Sequence, residues 1–249
     1  MPTTSTPESR KLFIRKLLAW YRRAGRDLPW RGTRNPYAIL VSEFMLQQTQ
    51  VSRVLDYYPR FLERFPTIDA LARSRRGAVM EAWDGLGYYA RARNLHALAQ
   101  EITRRHDGTL PEDPEELQTL PGVGRYTAGA VACFAYEKPV PAVDTNVKRV
   151  LQRAFMKRET RNGIRETWEL AETIVPRQGK RAWQFNQALM ELGALVCRAR
   201  KPKCPECPVR LECRLGSKQG GGKQREQRKD AGERGKDRLL APQSRKSLR

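Results

Sequence analysis

No run of about eighteen or more apolar residues occurs in the 249-residue sequence, so nothing in it reads as a membrane-spanning helix. The opening Met1-Pro2-Thr3-Thr4 leads into charge instead of a secretory apolar core, and the protein is expected in the cytoplasm. Strand-like alternation is scarce and no internal repeat is found. Cysteine is also scarce: there are five, four of them between Cys197 and Cys213 and only Cys133 apart. That is too few and too clustered for a secreted disulfide framework, and the cluster reads as a metal or metal-cluster site. Acidic side chains are outnumbered, 27 against 48 Lys and Arg, leaving a net charge of +21. An excess of that size points to a polyanionic partner, nucleic acid before membrane, although a solvated basic surface gives the same total.

What remains is helical. Phe13, Leu17 and Tyr21 recur every four residues, Leu95, Leu98 and Ile102 at three and four, and Phe185, Leu189, Leu192 and Val196 repeat the pattern just before the cysteines. The fold class is therefore all-α. The apolar fraction, 39%, is low but sufficient for a core. Residues 1–213 are expected to form the helical domain. From Arg214 to Arg249 the chain carries Gly220-Gly221-Gly222, twelve basic and four acidic residues and scattered apolar ones, the composition of a disordered basic tail. Such a tail either adds salt-sensitive attraction to phosphates or merely solvates the chain.

Leu120-Pro121-Gly122-Val123-Gly124-Arg125-Tyr126-Thr127 lies between a helical run from Pro114 to Thr119 and another from Thr127 to Ala135, so two helices meet at a glycine hairpin over about 114–135. Gly122 and Gly124 let the backbone turn tightly, and the amides that open the second helix can bind a phosphate oxygen. An ordinary αα turn is the plain alternative. Cys197, Cys204, Cys207 and Cys213 follow the spacing C-x6-C-x2-C-x5-C, a loop that can close on one metal centre; ligand count alone leaves zinc and iron–sulfur both open. Cys133, in Val131-Ala132-Cys133-Phe134, reads as a small buried hydrophobe.

Two carboxylates stand out. Glu43 interrupts the apolar run Ile39-Leu40-Val41-Ser42-Glu43-Phe44-Met45-Leu46, which is taken to open a helix; burial there raises a carboxyl pKa and keeps a proton available. Asp144 follows Pro139 and Pro141 and precedes a helical pattern, so as an N-cap it is expected to be held ionised by the helix amides. Singly, each has a structural explanation, a first-turn acid and a cap. Together, pushed to opposite sides of the usual carboxylate range, they are the pair that cleaves a glycosidic bond through an oxocarbenium-like state.

Over roughly residues 10–213 the sequence resembles the adenine DNA glycosylase (MutY) branch of the endonuclease III superfamily. The resemblance is carried by Leu28-Pro29-Trp30-Arg31, Ser42-Glu43 with Met45-Leu46-Gln47-Gln48-Thr49-Gln50-Val51, Gly85-Leu86-Gly87-Tyr88-Tyr89-Ala90-Arg91-Ala92-Arg93, the glycine hairpin, Asp144 with Asn146-Val147-Lys148-Arg149-Val150, Phe185-Asn186-Gln187-Ala188-Leu189-Met190, and the four cysteines. It implies a helix-hairpin-helix glycosylase fold, a 4Fe-4S cluster on Cys197, Cys204, Cys207 and Cys213, and a monomer acting near the nucleoid on double-stranded DNA that contains a mismatch. It further implies that Glu43 protonates N7 of a flipped adenine and Asp144 stabilises the cation at C1′, with Tyr126 and Asn146 in support. Arg26, Trp30, Arg31 and Val51 would line the base pocket, Gln48 would enter the gap in the duplex, and Tyr88 would wedge beside the opposing purine. Thr49 and Gln187 belong to the same DNA-contacting motifs.

The superfamily's strand-cutting members carry Lys directly after the hairpin; Tyr126 stands there in this chain, and a phenol with its usual pKa is a poor nucleophile that forms no imine. A monofunctional enzyme is therefore expected. No counterpart of the family's C-terminal 8-oxoguanine-recognition domain is expected after Cys213, which leaves guanine and 8-oxoguanine both as partners of the adenine. Thymine glycosylases acting opposite guanine share Tyr after the hairpin but tend to carry Arg-Arg-Thr-Thr where this chain has Gln47-Gln48-Thr49-Gln50, which favours adenine. A thymine or uracil glycosylase acting opposite guanine and a noncatalytic DNA-binding module are the alternatives, and the presence of both Glu43 and Asp144 argues against the module.

Overall fold

The structure is a computed structural model that describes residues 6–156 and 163–217. Among these, every regular element is helical. Thr6 caps α1 (Pro7–Ala24) through its side chain. After a 3-10 turn at Pro29–Arg31 comes α2 (Pro36–Leu46), then α3 (Val51–Arg64), α4 (Ile68–Arg73), α5 (Arg76–Ala82) and α6 (Ala90–Arg105). The hairpin joins α7 (Pro114–Leu117) to α8 (Arg125–Tyr136), and α9 (Thr145–Phe155), α10 (Ile164–Ile174) and α11 (Gly179–Leu195) complete the set.

Two helices form the axes of the packing. The α2 helix is apolar all round and buried from Tyr37 to Met45, as a central helix must be; it touches α3, α6 and α8. The α11 helix is packed by α1, α9 and α8. Because α8 contacts both axes, it stands between α2 and α11. Cys133 on α8 is fully buried, its sulfur 3.2 Å from the Asn186 amide nitrogen, and burial pushes its thiol up to about 12, in keeping with a packing role.

The start of α2 differs from expectation. Asn35 caps it, its Oδ1 accepting the Ala38 N–H at 3.1 Å, and Pro36 occupies the first turn, where its missing N–H costs nothing. The apolar run from Ile39 therefore continues a helix already begun, and Glu43 sits past its midpoint instead of in its first turn. The Asn-Pro pair is a helix-start signal that outweighs the hydrophobic pattern.

Two of the glycines that the fold demands bear on the hairpin and on α9. Gly122 in the hairpin has φ +75°, and a Cβ there would lie 2.7 Å from Cβ of Asn94. Gly193 lets α11 approach α9, since a Cβ would meet that of Asn146 at 2.6 Å. A further helical turn covers 214–217, with Arg214 donating to the Met156 carbonyl at 2.9 Å. The rest of the expected basic tail, 218–249, lies outside the described residues.

Candidate active site

Glu43 is 4% exposed, on the face of α2 turned toward α8. Tyr126, in the first turn of α8, donates its hydroxyl to Glu43 Oε2 at 2.7 Å. Burial raises the Glu43 pKa to about 7; the Tyr126 hydrogen bond opposes that rise, while the nearby charge of Asp144 adds to it. A carboxyl in this state holds a proton through the pH range in which an ordinary one has lost it. Burial first, then the charges of Glu43 and Asp144, push the Tyr126 phenol well above its ordinary value. It is thus a still poorer nucleophile than the unperturbed phenol the sequence suggested.

Asp144 is the N-cap of α9, as its sequence context indicates: Oδ1 accepts the Val147 N–H at 2.6 Å and Oδ2 accepts from Asn146 Nδ2 at 2.9 Å. Its electrostatics depart from expectation. The pKa is raised, not lowered, because burial outweighs the Val147 and Asn146 hydrogen bonds and the charge of Arg149. Both carboxylates are therefore shifted the same way, and what separates them is support: several groups bind the Asp144 anion, whereas among the described residues Glu43 has only the Tyr126 hydroxyl as a side-chain hydrogen-bond partner.

The support around Asp144 continues outward. Asn146 Oδ1 accepts from Arg149 Nη2 at 2.7 Å; the same guanidinium donates to the Gly193 carbonyl at 2.8 Å and, through Nε, to the Cys197 carbonyl at 2.8 Å. The Asp144 cap and the first cysteine of the loop are thus joined by three consecutive side-chain hydrogen bonds. On the preceding side, Asn186 on α11 accepts the Ala142 N–H at 3.0 Å and donates to the Val140 carbonyl at 2.9 Å, fixing the segment that delivers Asp144.

Arg26 and Arg31 are brought together by a residue that sequence reasoning missed. Glu191 on α11 is fully buried; it accepts from Arg26 Nε at 2.5 Å and Arg31 Nη2 at 2.7 Å, and Arg31 Nε donates to Gln187 Oε1 at 2.8 Å. Burial raises the Glu191 pKa, but the two guanidiniums prevail and hold it below the ordinary carboxylate value. The available signal was a lone acid in the apolar stretch Ala188-Leu189-Met190-Glu191-Leu192, the same signal that marked Glu43. The charge of Arg31 reaches both Glu43 and Tyr126, which places this cluster beside the acid. Trp30 is buried in the core, edge-on to Tyr58 at 5.5 Å.

The remaining DNA-contacting candidates gather at two loops and the hairpin. Gln48, exposed and at φ +56°, lines with Thr49 a groove of about 540 Å³ that also includes Arg53 and Leu86; Val51 is half-buried at the start of α3. Tyr88, 60% exposed and at φ +47°, precedes α6. Gly124 is the N-cap of α8 and makes no side-chain cap, and a Cβ added there would meet nothing within 4 Å.

Cys197, Cys204, Cys207 and Cys213 lie within electrostatic reach of one another. Burial, with mutual repulsion added, raises the Cys204 and Cys213 thiols and pushes Cys207 up to about 12. Arg153 donates to Cys197 Sγ at 3.7 Å, and the charges of Arg153 and Arg210 counter the rise at Cys204. Among the described residues no three His, Cys, Asp or Glu side chains converge closely enough to hold a single metal ion.

This arrangement has known counterparts. Residues 41–177 match the family model described as HhH-GPD superfamily base excision DNA repair protein. The chain belongs to that family. Among HhH-GPD relatives, an adenine DNA glycosylase of Mycobacterium tuberculosis is 48% identical over 212 residues, 84% of this chain and 69% of the relative. One from Rattus norvegicus is 44% identical over 223 residues, 85% of this chain and 43% of the relative. Of solved structures, a thermostable thymine-DNA glycosylase superposes with TM-score 0.79 at 33% identity, covering 85% of this chain and 98% of its own. A trapped covalent endonuclease III–DNA intermediate superposes with TM-score 0.74 at 28% identity, covering 86% and 98%. This HhH-GPD protein is accordingly an all-α DNA glycosylase that binds DNA.

Proposed function

We infer that the protein hydrolyses the N-glycosidic bond of adenine mispaired with guanine or 8-oxoguanine in duplex DNA and leaves the strand intact. The observation that carries the reading is the buried Glu43 carboxyl, with a pKa of about 7 and bound to Tyr126, facing the capped Asp144. Glu43 delivers its proton to N7 of the flipped base as the C1′–N9 bond breaks and its electron pair leaves with the adenine. Asp144, in the anionic form that the Val147 and Asn146 N–H groups bind, faces the positive charge that develops at C1′. Water then bonds to C1′ and releases a proton, giving an abasic site. Arg31, Arg26 and Gln187, held by Glu191 and one another, present donors to the base. Unpairing costs a few kcal/mol, least at a mismatch.

Adenine is favoured over thymine by the higher identity to adenine glycosylases, 48% against 33% for the thymine enzyme, and by the Gln47-Gln48-Thr49-Gln50 run. The setting this reading implies is a monomer working in the cytoplasm on nucleoid DNA. The test is a panel of duplexes with A, T or U opposite G, and A opposite 8-oxoguanine, each assayed before and after alkali. Release of adenine with no nick until alkali is applied, and little covalent complex trapped by borohydride, is the expected result, because Tyr126 offers no amine to C1′. Release of thymine but not adenine overturns the base assignment; strand cleavage in step with base release, with efficient trapping, overturns the monofunctional one.

The four cysteines fit a 4Fe-4S cluster. They are four soft donors in one loop, close enough to repel as anions, and the Arg153 and Arg210 side chains stand by to offset the charge of a thiolate-bound cluster. When bound, such a cluster supplies a structural and electrostatic tie for the loop that begins at Cys197. Protein purified without oxygen is expected to be brown, with about four irons and four sulfides per chain. Stoichiometric zinc without iron is the contrary result.

A further inference from the structure

Arg91 lies in the first turn of α6, is 6% exposed, and among the described residues has no carboxylate in ion-pair range. Its hydrogen-bond partners are all backbone carbonyls. Nη1 donates to Phe44 O at 3.0 Å, to Met45 O at 2.7 Å and to Gln47 O, while Nη2 donates to Leu86 O at 3.2 Å and to Gly87 O at 3.0 Å. The first three close the C-terminus of α2, whose last carbonyls have no partner within the helix. The last two belong to the loop ahead of α6. The guanidinium also stands 5.4 Å from the ring centroids of both Trp83 and Tyr88.

The two outermost bonds have a particular consequence. The carbonyl of Gln47 belongs to the peptide plane that leads into Gln48, and that of Gly87 to the plane that leads into Tyr88. Gln48 and Tyr88 are the two residues of these loops, glycines aside, that are held at positive φ, +56° and +47°. Each costs free energy that the surroundings must offset for the conformation to persist. Holding the preceding carbonyl fixes the orientation of the plane about which φ is measured. One planar fork therefore pins both strained residues from behind and sets their spacing, a geometry that the single ammonium of a lysine cannot reproduce.

We propose that Arg91 is a positioning residue that locks Gln48 and Tyr88 in the conformation that opens the duplex, before DNA arrives. The proposal rests on the reading of those two side chains as the pair that enters and wedges the base stack. Arg91 touches no reacting atom, so its loss acts on opening and not on bond cleavage.

The experiment uses the full chain with Arg91→Lys and Arg91→Gln, and with Gln48→Ala/Tyr88→Ala as a separate variant. Amide hydrogen exchange on the DNA-free protein reads the lock; stopped-flow fluorescence of a duplex with 2-aminopurine beside an adenine opposite guanine reads opening. Arg91→Lys is expected to speed exchange at 47–49 and 86–89 by at least about tenfold while leaving α8 and α9 unchanged. It should slow opening by a similar factor and leave the pH midpoint of excision where it is. Exchange at wild-type rates in Arg91→Lys overturns the lock, as does fast exchange combined with wild-type opening. Should neither Arg91 variant fold, exchange in Tyr88→Gly, which removes the strain on one loop, is expected to stay protected at 47–49; equal loosening of both loops overturns independent pinning by the fork. Failure of the underlying reading is seen separately, as opening at the wild-type rate by Gln48→Ala/Tyr88→Ala.

Discussion

Glu43→Gln is expected to lower single-turnover adenine release by about a thousandfold at pH 7 while mismatch binding stays near wild type, within the usual range for loss of a general acid. The amide keeps the volume and can still accept the Tyr126 hydroxyl, but it has no acidic proton for N7. In the wild type, release should fall as pH rises through about 7, because only the protonated carboxyl works; the residual rate of the variant should lack that limb. Stability moves the other way. The folded-state pKa is raised above the ordinary 4.5, so relative to a neutral Gln the Glu loses stability as pH climbs from 4.5 through about 7. The loss saturates at on the order of 3 kcal/mol by linkage, less whatever the buried amide forfeits in unmade hydrogen bonds. Glu43→Gln should therefore melt roughly 3 to 10 °C higher at pH 8, with the gain fading toward pH 4.5. Activity within tenfold of wild type defeats the acid assignment; an unchanged melting temperature at pH 8 defeats the account of its pKa.

The helical class, the hairpin and the cap at Asp144 were legible because each is written locally, in periodicity, in Gly-x-Gly and in a carboxylate that follows prolines and precedes a helical run. The two carboxylates were suggested as a pair by their local contexts and assigned roles by the resemblance, but nothing in either segment says that the fold will bring Glu43 and Asp144 within reach of one another. The sign of the Asp144 shift was misjudged for the same reason. The amides that lower it are local and visible in sequence, while the burial that wins is tertiary. Glu191 reaches Arg26 across 165 positions and Arg91 reaches Phe44 across 47, so both clamps depend on packing that no local pattern encodes. An isolated charge within an apolar helical stretch is nonetheless a signal shared by Glu43 and Glu191, and in each case it marks a residue whose neighbours were assembled from another part of the chain.

Asp144→Asn separates a cap from a catalyst more cleanly than an alanine would. Asn is as good an N-cap as Asp, and its amide oxygen can accept the Val147 N–H now held at 2.6 Å. If Asp144 only caps α9, the variant keeps both fold and activity. If it faces the cation at C1′, the anion is what matters, and its loss should cost about 10² to 10³ in the rate of release, the scale of removing one preorganised electrostatic group. The second oxygen adds a test of its own. Asn146 Nδ2 donates to it at 2.9 Å, and an amide nitrogen in that place sets donor against donor. Asn146 can flip to relieve the clash only by turning its Nδ2 toward the Arg149 guanidinium, which now donates to its Oδ1 at 2.7 Å. The strain therefore passes along the bonds that end at the Cys197 carbonyl. The melting temperature should still change little, because a neutral side chain no longer bears the desolvation that raises the Asp144 pKa. Removing the charge also takes away one of the influences that raise Glu43, so the alkaline limb of the residual activity should shift to lower pH than in the wild type. Release within a few-fold of wild type, or a loss of rate matched by a loss of folded protein, would return Asp144 to the role of a cap.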